Sequence, residues 1–400
     1  MKNFHCIGLI LIFLILKIGA GQANTVSSGY IDVNDGKLYY ELSGDGDETI
    51  VFIHDGLVHG EVWDSQFSTF AEKFKVIRYD RRGYGRSPQP EKTYSNVGDL
   101  QQVFTFLKID EAILIGMSAG GGLAIDFTLK YPDKVTSLIV VGAVVSGFGY
   151  SDHFLTRGGR LAAADYANPE KLLQYFVKED PYEIAPQNKA VKEKLWTLME
   201  KYPQNIDFSK NRLAEQPERL AIGILNEIQI PTFIVVGEFD IPDVFVHAGA
   251  IESGIPFAQK MIIQNAGHLV PLEQPDMFNE QVLNFLKGAE FYQILNTRGV
   301  AEAVEMFKKK RKEDNSWIPF SETQMNILGY QKLQAGNTKE AIELFKLNVI
   351  AYPESANTYD SLGEAYMMNG NKELAIQNYK QSLKLNPDNK NAEEMLERLE

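Results

Sequence analysis

Residues Gly116-Met117-Ser118-Ala119-Gly120 stand between a continuous apolar run, 112–115, and a helix-like stretch, 121–131. Few folds accept such a junction. A strand that turns straight into a helix holds the central residue in a strained backbone conformation, and the turn closes only when the residues two positions either side are small. Gly116 and Gly120 meet that condition. The turn lifts Ser118 clear of the sheet edge and aims the free N–H groups of the next helix at any negative charge forming there. Ser118 is therefore a candidate nucleophile.

Strand-like and helical patterns alternate around this turn. Residues 30–40 flank Asn34-Asp35-Gly36, the chemistry of a hairpin turn, and open the domain with two antiparallel strands. Residues 99–107 form an amphipathic helix, 138–145 a continuous apolar strand, 231–237 a fully buried strand and 260–263 a short one. This alternation requires a mostly parallel sheet covered on both faces, the α/β class. Such a turn belongs to a fold whose triad follows in the order serine, acid, histidine, the acid in a loop after a late strand and the histidine after the last one. Asp240 lies in the loop after 231–237, with Glu238 and Asp243 as competitors, and His268 lies in the loop 265–273. An imidazole, with an ordinary pKa of ~6.5, suits the task of taking the serine proton.

These segments resemble the α/β-hydrolase superfamily, in the branch with a histidine-glycine loop after the third strand, over about residues 29–287. The resemblance rests on Val51-Phe52-Ile53-His54-Asp55-Gly56, on the run from Val76 to Ser87, on the turn at Ser118, on Asp240 and on Gly267-His268. It implies a Ser118, His268, Asp240 triad, favours Asp240 over its two neighbours, and assigns the oxyanion hole to the N–H groups of Gly56 and Ala119. It also implies a helical cap over 147–228 that roofs the site. The expected substrate is a small ester, lactone or similar acyl compound; peptidases and carbon-carbon hydrolases of the family use the same residues. Asp55 departs from the small residue usual after the loop histidine, and its carboxylate is expected to face away from Ser118. His54 is read as a structural hydrogen-bonding residue, and Arg81, Arg82 and Arg86 as supports of the turn after the fourth strand. His59, His153 and His247 are read as ordinary surface or cap residues. No cluster has metal-ligand spacing, and no cofactor is expected.

The C-terminal part repeats. Leu328, Gly329, Gly336, Ala341, Phe345 and Pro353 recur 34 residues later as Leu362, Gly363, Gly370, Ala375, Tyr379 and Pro387. The period and residue types resemble the tetratricopeptide repeat, a pair of antiparallel helices. A degenerate unit over 290–312 and a final helix over 391–399 bring the array to about the three repeats that stability requires. Such arrays bind a peptide or protein along a concave face, or serve as a packing appendage.

Four hundred residues exceed what one core usually holds. The expected division is a signal peptide over 1–23, a hydrolase domain over 24–288 and an all-α repeat domain over 289–400. Lys2, the apolar run 6–16 and the small residues Gly19, Ala20, Gly21 and Ala23 have the order of a cleaved secretory signal. Cleavage leaves no membrane span, an exported periplasmic or secreted chain, and no cysteine, because Cys6 is the only one. A formal net charge of −13 argues against sequence-independent nucleic-acid binding. Two functions follow: an exported serine hydrolase carrying an interaction module, or an interaction protein whose hydrolase domain is an idle scaffold.

Overall fold

The computed structural model describes residues 25–152, 154, 168–179, 188–207, 213–256 and 258–400. The expected signal segment, His153 and parts of the expected cap lie outside the described residues. Eight strands form one sheet: β1 (Ser27–Val33), β2 (Gly36–Ser43), β3 (Thr49–Ile53), β4 (Lys75–Tyr79), β5 (Ala112–Met117), β6 (Val135–Val141), β7 (Thr232–Gly237) and β8 (Ala258–Ile263). Their order is β1-β2-β4-β3-β5-β6-β7-β8. Only β1 with β2 and β2 with β4 pair antiparallel; the rest is parallel. The first hairpin turns at Asn34 and Asp35, where Asp35 takes φ 56°.

Strand periodicity sends alternate side chains to two separate cores. In β3, Ile50 and Phe52 join Trp63, Phe70, Ile115, Phe233 and Phe278 on one face. Val51 and Ile53 join Leu114, Val140, Phe104 and Ile125 on the other. Helices α1 (Asp64–Phe70), α2 (Asn96–Phe106) and α3 (Ala119–Lys130) cover these faces, and α2 opens with Ser95 accepting from the Gly98 N–H. From the cap interval come α4 (Pro169–Gln174) and α5 (Lys189–Lys201); the core resumes with α6 (Pro242–Gly254), α7 (Val270–Glu273) and α8 (Pro275–Thr297).

Two readings of the sequence need correction. The strand expected over 138–145 stops at Val141, because Gly142 takes φ 52° and turns the chain. The segment read as a loop over 265–273 ends in the short helix α7, which starts on Pro271 in its first turn.

Helices α9 (Val300–Glu313), α10 (Glu322–Gln334), α11 (Thr338–Ala351), α12 (Ala356–Met368), α13 (Lys372–Leu385) and α14 (Lys390–Leu399) complete the chain. Gly299, Gly336 and Gly370 all take positive φ in the turns between paired helices. Within each pair a glycine admits an aromatic ring: a Cβ at Gly329 would overlap the Phe345 ring, and one at Gly363 would lie 3.0 Å from Tyr379. The degenerate first unit is present as the end of α8 paired with α9. Helix α8 runs unbroken past residue 288: Phe278, Val282 and Phe285 lie in the sheet core, while Phe291, Tyr292 and Leu295 lie in the repeat core.

Candidate active site

The turn between β5 and α3 places Ser118 at φ 53° and ψ −119°, a conformation that non-glycine residues rarely hold. Its neighbours must be bare for that to happen. A Cβ at Gly116 would overlap the Gly120 carbonyl, and one at Gly120 would overlap the carbonyls of Ile53 and His54. The Ser118 N–H donates to the Val141 carbonyl at 2.8 Å, which pins the turn to the end of β6.

One residue beyond Val141, Gly142 touches the other half of the site. A Cβ there would lie 3.0 Å from His268 Nδ1 and 3.1 Å from Asp240 Oδ2. His268 Nδ1 is 3.0 Å from both oxygens of Asp240, and the Ile241 N–H donates to Asp240 Oδ1 at 2.8 Å. A carboxylate only accepts, so His268 Nδ1 carries the proton of this bond. Both side chains are buried, and Ser118 is half-buried. Glu238 and Asp243 are engaged elsewhere: Glu238 accepts from the Asn265 N–H at 2.9 Å, and Asp243 from the N–H and hydroxyl of Ser151, both at 2.6 Å.

Backbone bonds join the loops that carry Asp240 and His268. Glu238 N–H donates to Ile263 at 2.9 Å and Phe239 N–H to Ala266 at 2.8 Å, while a Cβ at Gly237 would overlap the Gly267 carbonyl. Glu273 accepts from the N–H groups of Gly267 at 2.7 Å and Leu269 at 3.1 Å. Burial pushes the Glu273 carboxyl up to about 7.

Gly56 and Ala119 are neighbours. A Cβ at Gly56 would sit 3.7 Å from the Ala119 Cβ, and the Gly56 carbonyl accepts from the Tyr84 hydroxyl at 3.2 Å. As first residue of α3, Ala119 has no intrahelical partner for its N–H. The Asp55 carboxylate turns along its own loop, Oδ1 accepting from Leu57 and Val58 at 2.8 Å each, and no hydrogen bond joins it to Ser118 among the described residues. His54 Nδ1 donates to the Asp55 carbonyl and Nε2 accepts from the Arg81 N–H; burial holds its pKa well below the usual imidazole value, so the ring stays neutral. Asp80 ties this loop to the turn after β4, accepting from Gly60 at 2.8 Å and Arg86 at 2.9 Å.

The arginines brace that turn. Arg82 grips Asp99 at 2.6 and 2.8 Å, Arg86 pairs with Glu61 at 2.9 Å, and Arg81 lies over the Tyr84 ring at 4.9 Å. His59 and His247, expected at the surface or in the cap, are fully buried instead. Asn205, from the end of the cap interval, donates to His59 Nδ1 at 3.3 Å and accepts from Gly85 N–H at 2.8 Å; Val145 N–H donates to His247 Nδ1 at 3.0 Å. These partners lie 146 and 102 residues away along the chain, out of reach of any local pattern. Gly142, Glu273 and Asn205 are the positions that sequence reasoning missed. Only Glu273, five residues after His268 at the end of the same loop, left a signal: a buried-side acid next to backbone N–H groups that need an acceptor.

A cavity of about 540 Å³ lies between α5 and the turn 175–179 that follows α4, lined in part by Val177, Lys192 and Trp196, and touches neither Ser118 nor His268. No group of three or more His, Cys, Asp or Glu side chains suited to a metal ion occurs among the described residues.

Residues 48–275 match the family model of the alpha/beta hydrolase fold, and residues 356–389 that of the tetratricopeptide repeat. A 2-hydroxy-6-oxononadienedioate/2-hydroxy-6-oxononatrienedioate hydrolase of Klebsiella pneumoniae is 28% identical, over 67% of this chain and 98% of the relative. Carboxylesterase YbfK of Bacillus subtilis is 25% identical, over 65% of this chain and 87% of the relative. Among solved structures, Est816, described as an N-acyl homoserine lactone degrading enzyme, superposes with a TM-score of 0.52 at 25% identity, over 64% of this chain and all of that one. The chain belongs to the alpha/beta hydrolase fold family, and joins to that domain a C-terminal tetratricopeptide repeat.

Proposed function

We propose that the protein is an exported serine hydrolase that cleaves a small ester, lactone or similar acyl compound through an acyl-enzyme intermediate. The observation that carries this reading is the convergence at Val141-Gly142: the strained Ser118 is bonded to the one, and the Asp240–His268 pair packs on the other. In the proposed reaction His268 Nε2 takes the Ser118 hydroxyl proton as Oγ attacks the acyl carbon. The N–H groups of Gly56 and Ala119 stabilise the oxyanion, each such donor being worth about 3 kcal/mol in the transition state. His268 then protonates the leaving group, water enters, and the same steps run in reverse to free Ser118. Asp240 keeps the imidazole in the tautomer that leaves Nε2 basic and stabilises its cation. Export rests on the N-terminal sequence, and binding of a peptide or protein by the repeats rests on their fold.

A panel of p-nitrophenyl esters of increasing acyl length, with lactones beside them, tests the reading. Turnover in the wild type and its loss in Ser118→Ala support it; equal turnover in both contradicts it. Carbon-carbon cleavage is a second reading, supported by the 2-hydroxy-6-oxononadienedioate hydrolase relatives. Assaying a vinylogous 1,5-diketone with the esters separates the two.

A further inference from the structure

His268 sits on a loop that a single carboxylate grips on both sides. Glu273, at the end of α7, folds back so that Oε2 accepts from the Gly267 N–H at 2.7 Å and Oε1 from the Leu269 N–H at 3.1 Å. The Leu269 N–H belongs to the peptide that leaves His268, and the Gly267 N–H to the peptide one residue before the one that enters it, so the clamp spans the histidine. Holding the chain on both sides of one residue restrains the direction of its Cα–Cβ bond, and with it where the ring can reach. Outside the clamp the loop is tied again: the Gln274 amide donates to the Asn265 carbonyl at 3.1 Å, and the Asn265 N–H donates to Glu238 at 2.9 Å. The ring itself is tied to Asp240 at 3.0 Å. The Asp240 bond restrains the imidazole at Nδ1, and the Glu273 bonds restrain the backbone from which it projects.

We propose that Glu273 is a positioning residue for the hydrolytic reaction, holding the chain on either side of His268 through the N–H groups of Gly267 and Leu269 so that Nε2 meets the Ser118 hydroxyl. This rests on the reading of His268 as the general base. An ionised carboxylate suits the position, because it presents two acceptors to two donors. A glutamine presents one oxygen and one NH2, and the NH2 would face an N–H donor. A role confined to completing the hydrogen bonds of α7 would show as lost stability with intact turnover. A positioning role acts on the chemical step and leaves substrate binding alone.

Glu273→Gln and Glu273→Asp, in the full chain, test this by steady-state hydrolysis of a p-nitrophenyl ester, by thermal unfolding, and by the proton NMR signal of the His268 Nδ1–H, assigned by its loss in His268→Ala. In Glu273→Gln, kcat is expected to fall between about 10- and 100-fold with KM within about twofold, and the Nδ1–H signal to shift or broaden. Glu273→Asp keeps the charge but is too short for both N–H groups, so its kcat lies between the two; it carries the test if the glutamine variant does not fold. Folded variants with wild-type kcat and an unmoved Nδ1–H signal would overturn the proposal. If wild type does not hydrolyse the esters, the triad reading fails separately, and the resonance alone decides whether Glu273 holds the ring.

Discussion

Gly142 shows how much a single backbone position can decide. Its φ of 52° disfavours any side chain, and a Cβ there would lie 3.0 to 3.1 Å from the His268 and Asp240 side chains, which would have to give by a few tenths of an ångström. Gly142→Ala therefore carries two costs: roughly 1 kcal/mol or more of backbone strain, and a displaced imidazole that lowers kcat by about 100-fold. Comparing thermal unfolding with ester turnover checks both; normal turnover in the folded variant would show that Gly142 does not set the pair. Ser118 and His268 were legible as candidates because each stands in a local frame of glycines and strand ends, whereas Asp240 was separated from Glu238 and Asp243 only by the family resemblance. Gly142 was not legible, since the apolar run continues on both sides of it and periodicity carries no sign of φ. Nor were the buried places of His59 and His247, which depend on Asn205 and Val145.

Among elements, α3 is joined to the segment after β6 and to the cap interval by a half-buried polar chain. Asp126 accepts from the Ser146 hydroxyl at 2.7 Å, and that hydroxyl accepts from the Ala221 N–H at 2.8 Å. Burial pushes the Asp126 carboxyl up to about 6, opposed by the Ser146 bond. The folded protein thus keeps a proton that the unfolded chain releases near pH 4, and stability falls as pH rises from about 4 to 6. Asp126→Asn keeps the acceptor and removes the charge. Its unfolding free energy at pH 7 is expected to exceed wild type by on the order of 2 kcal/mol, with the difference vanishing below about pH 4. An unchanged difference across that range would refute the assignment. In the repeats, Gly329→Ala drives a methyl group into the buried Phe345 ring and is expected to cost about 1–3 kcal/mol, more than Gly363→Ala, where the ring is farther off. Differential scanning calorimetry of the two variants orders them. The repeated pairs were readable because Gly329 and Gly363 recur with their rings at one period; the continuity of α8 was not, since a helix serving two cores has no change of pattern at the border.

That continuity sets the plan of the whole molecule. The residues proposed for catalysis lie at the C-terminal ends of β5, β7 and β8. Helix α8 begins just after the histidine loop and runs back along the sheet for about 34 Å, given 1.5 Å per residue. Burial raises the carboxyl of Glu48, just before β3, and the charge of Glu290 on this helix adds to it, which places the later part of α8 near that end of the strand. The repeats therefore begin near the N-terminal ends of the strands, opposite the site. The Gly288 backbone meets Pro319 so closely that a Cβ would overlap its carbonyl. Gly288→Leu is expected to lower the unfolding temperature by forcing the repeats off this contact, while kcat/KM of ester hydrolysis stays within about twofold, because the sites are far apart and share no partner. A large fall in kcat/KM in the folded variant would show the two domains to be coupled.

The central claim is that Ser118 is a nucleophile served by His268 and Asp240. Reaction of the full chain with a fluorophosphonate, followed by mass spectrometry of its peptides, tests it most directly. The account predicts one adduct, on Ser118, absent in Ser118→Ala and formed far more slowly in His268→Ala. An unlabelled wild type, or an adduct on another residue that persists in Ser118→Ala, would contradict it.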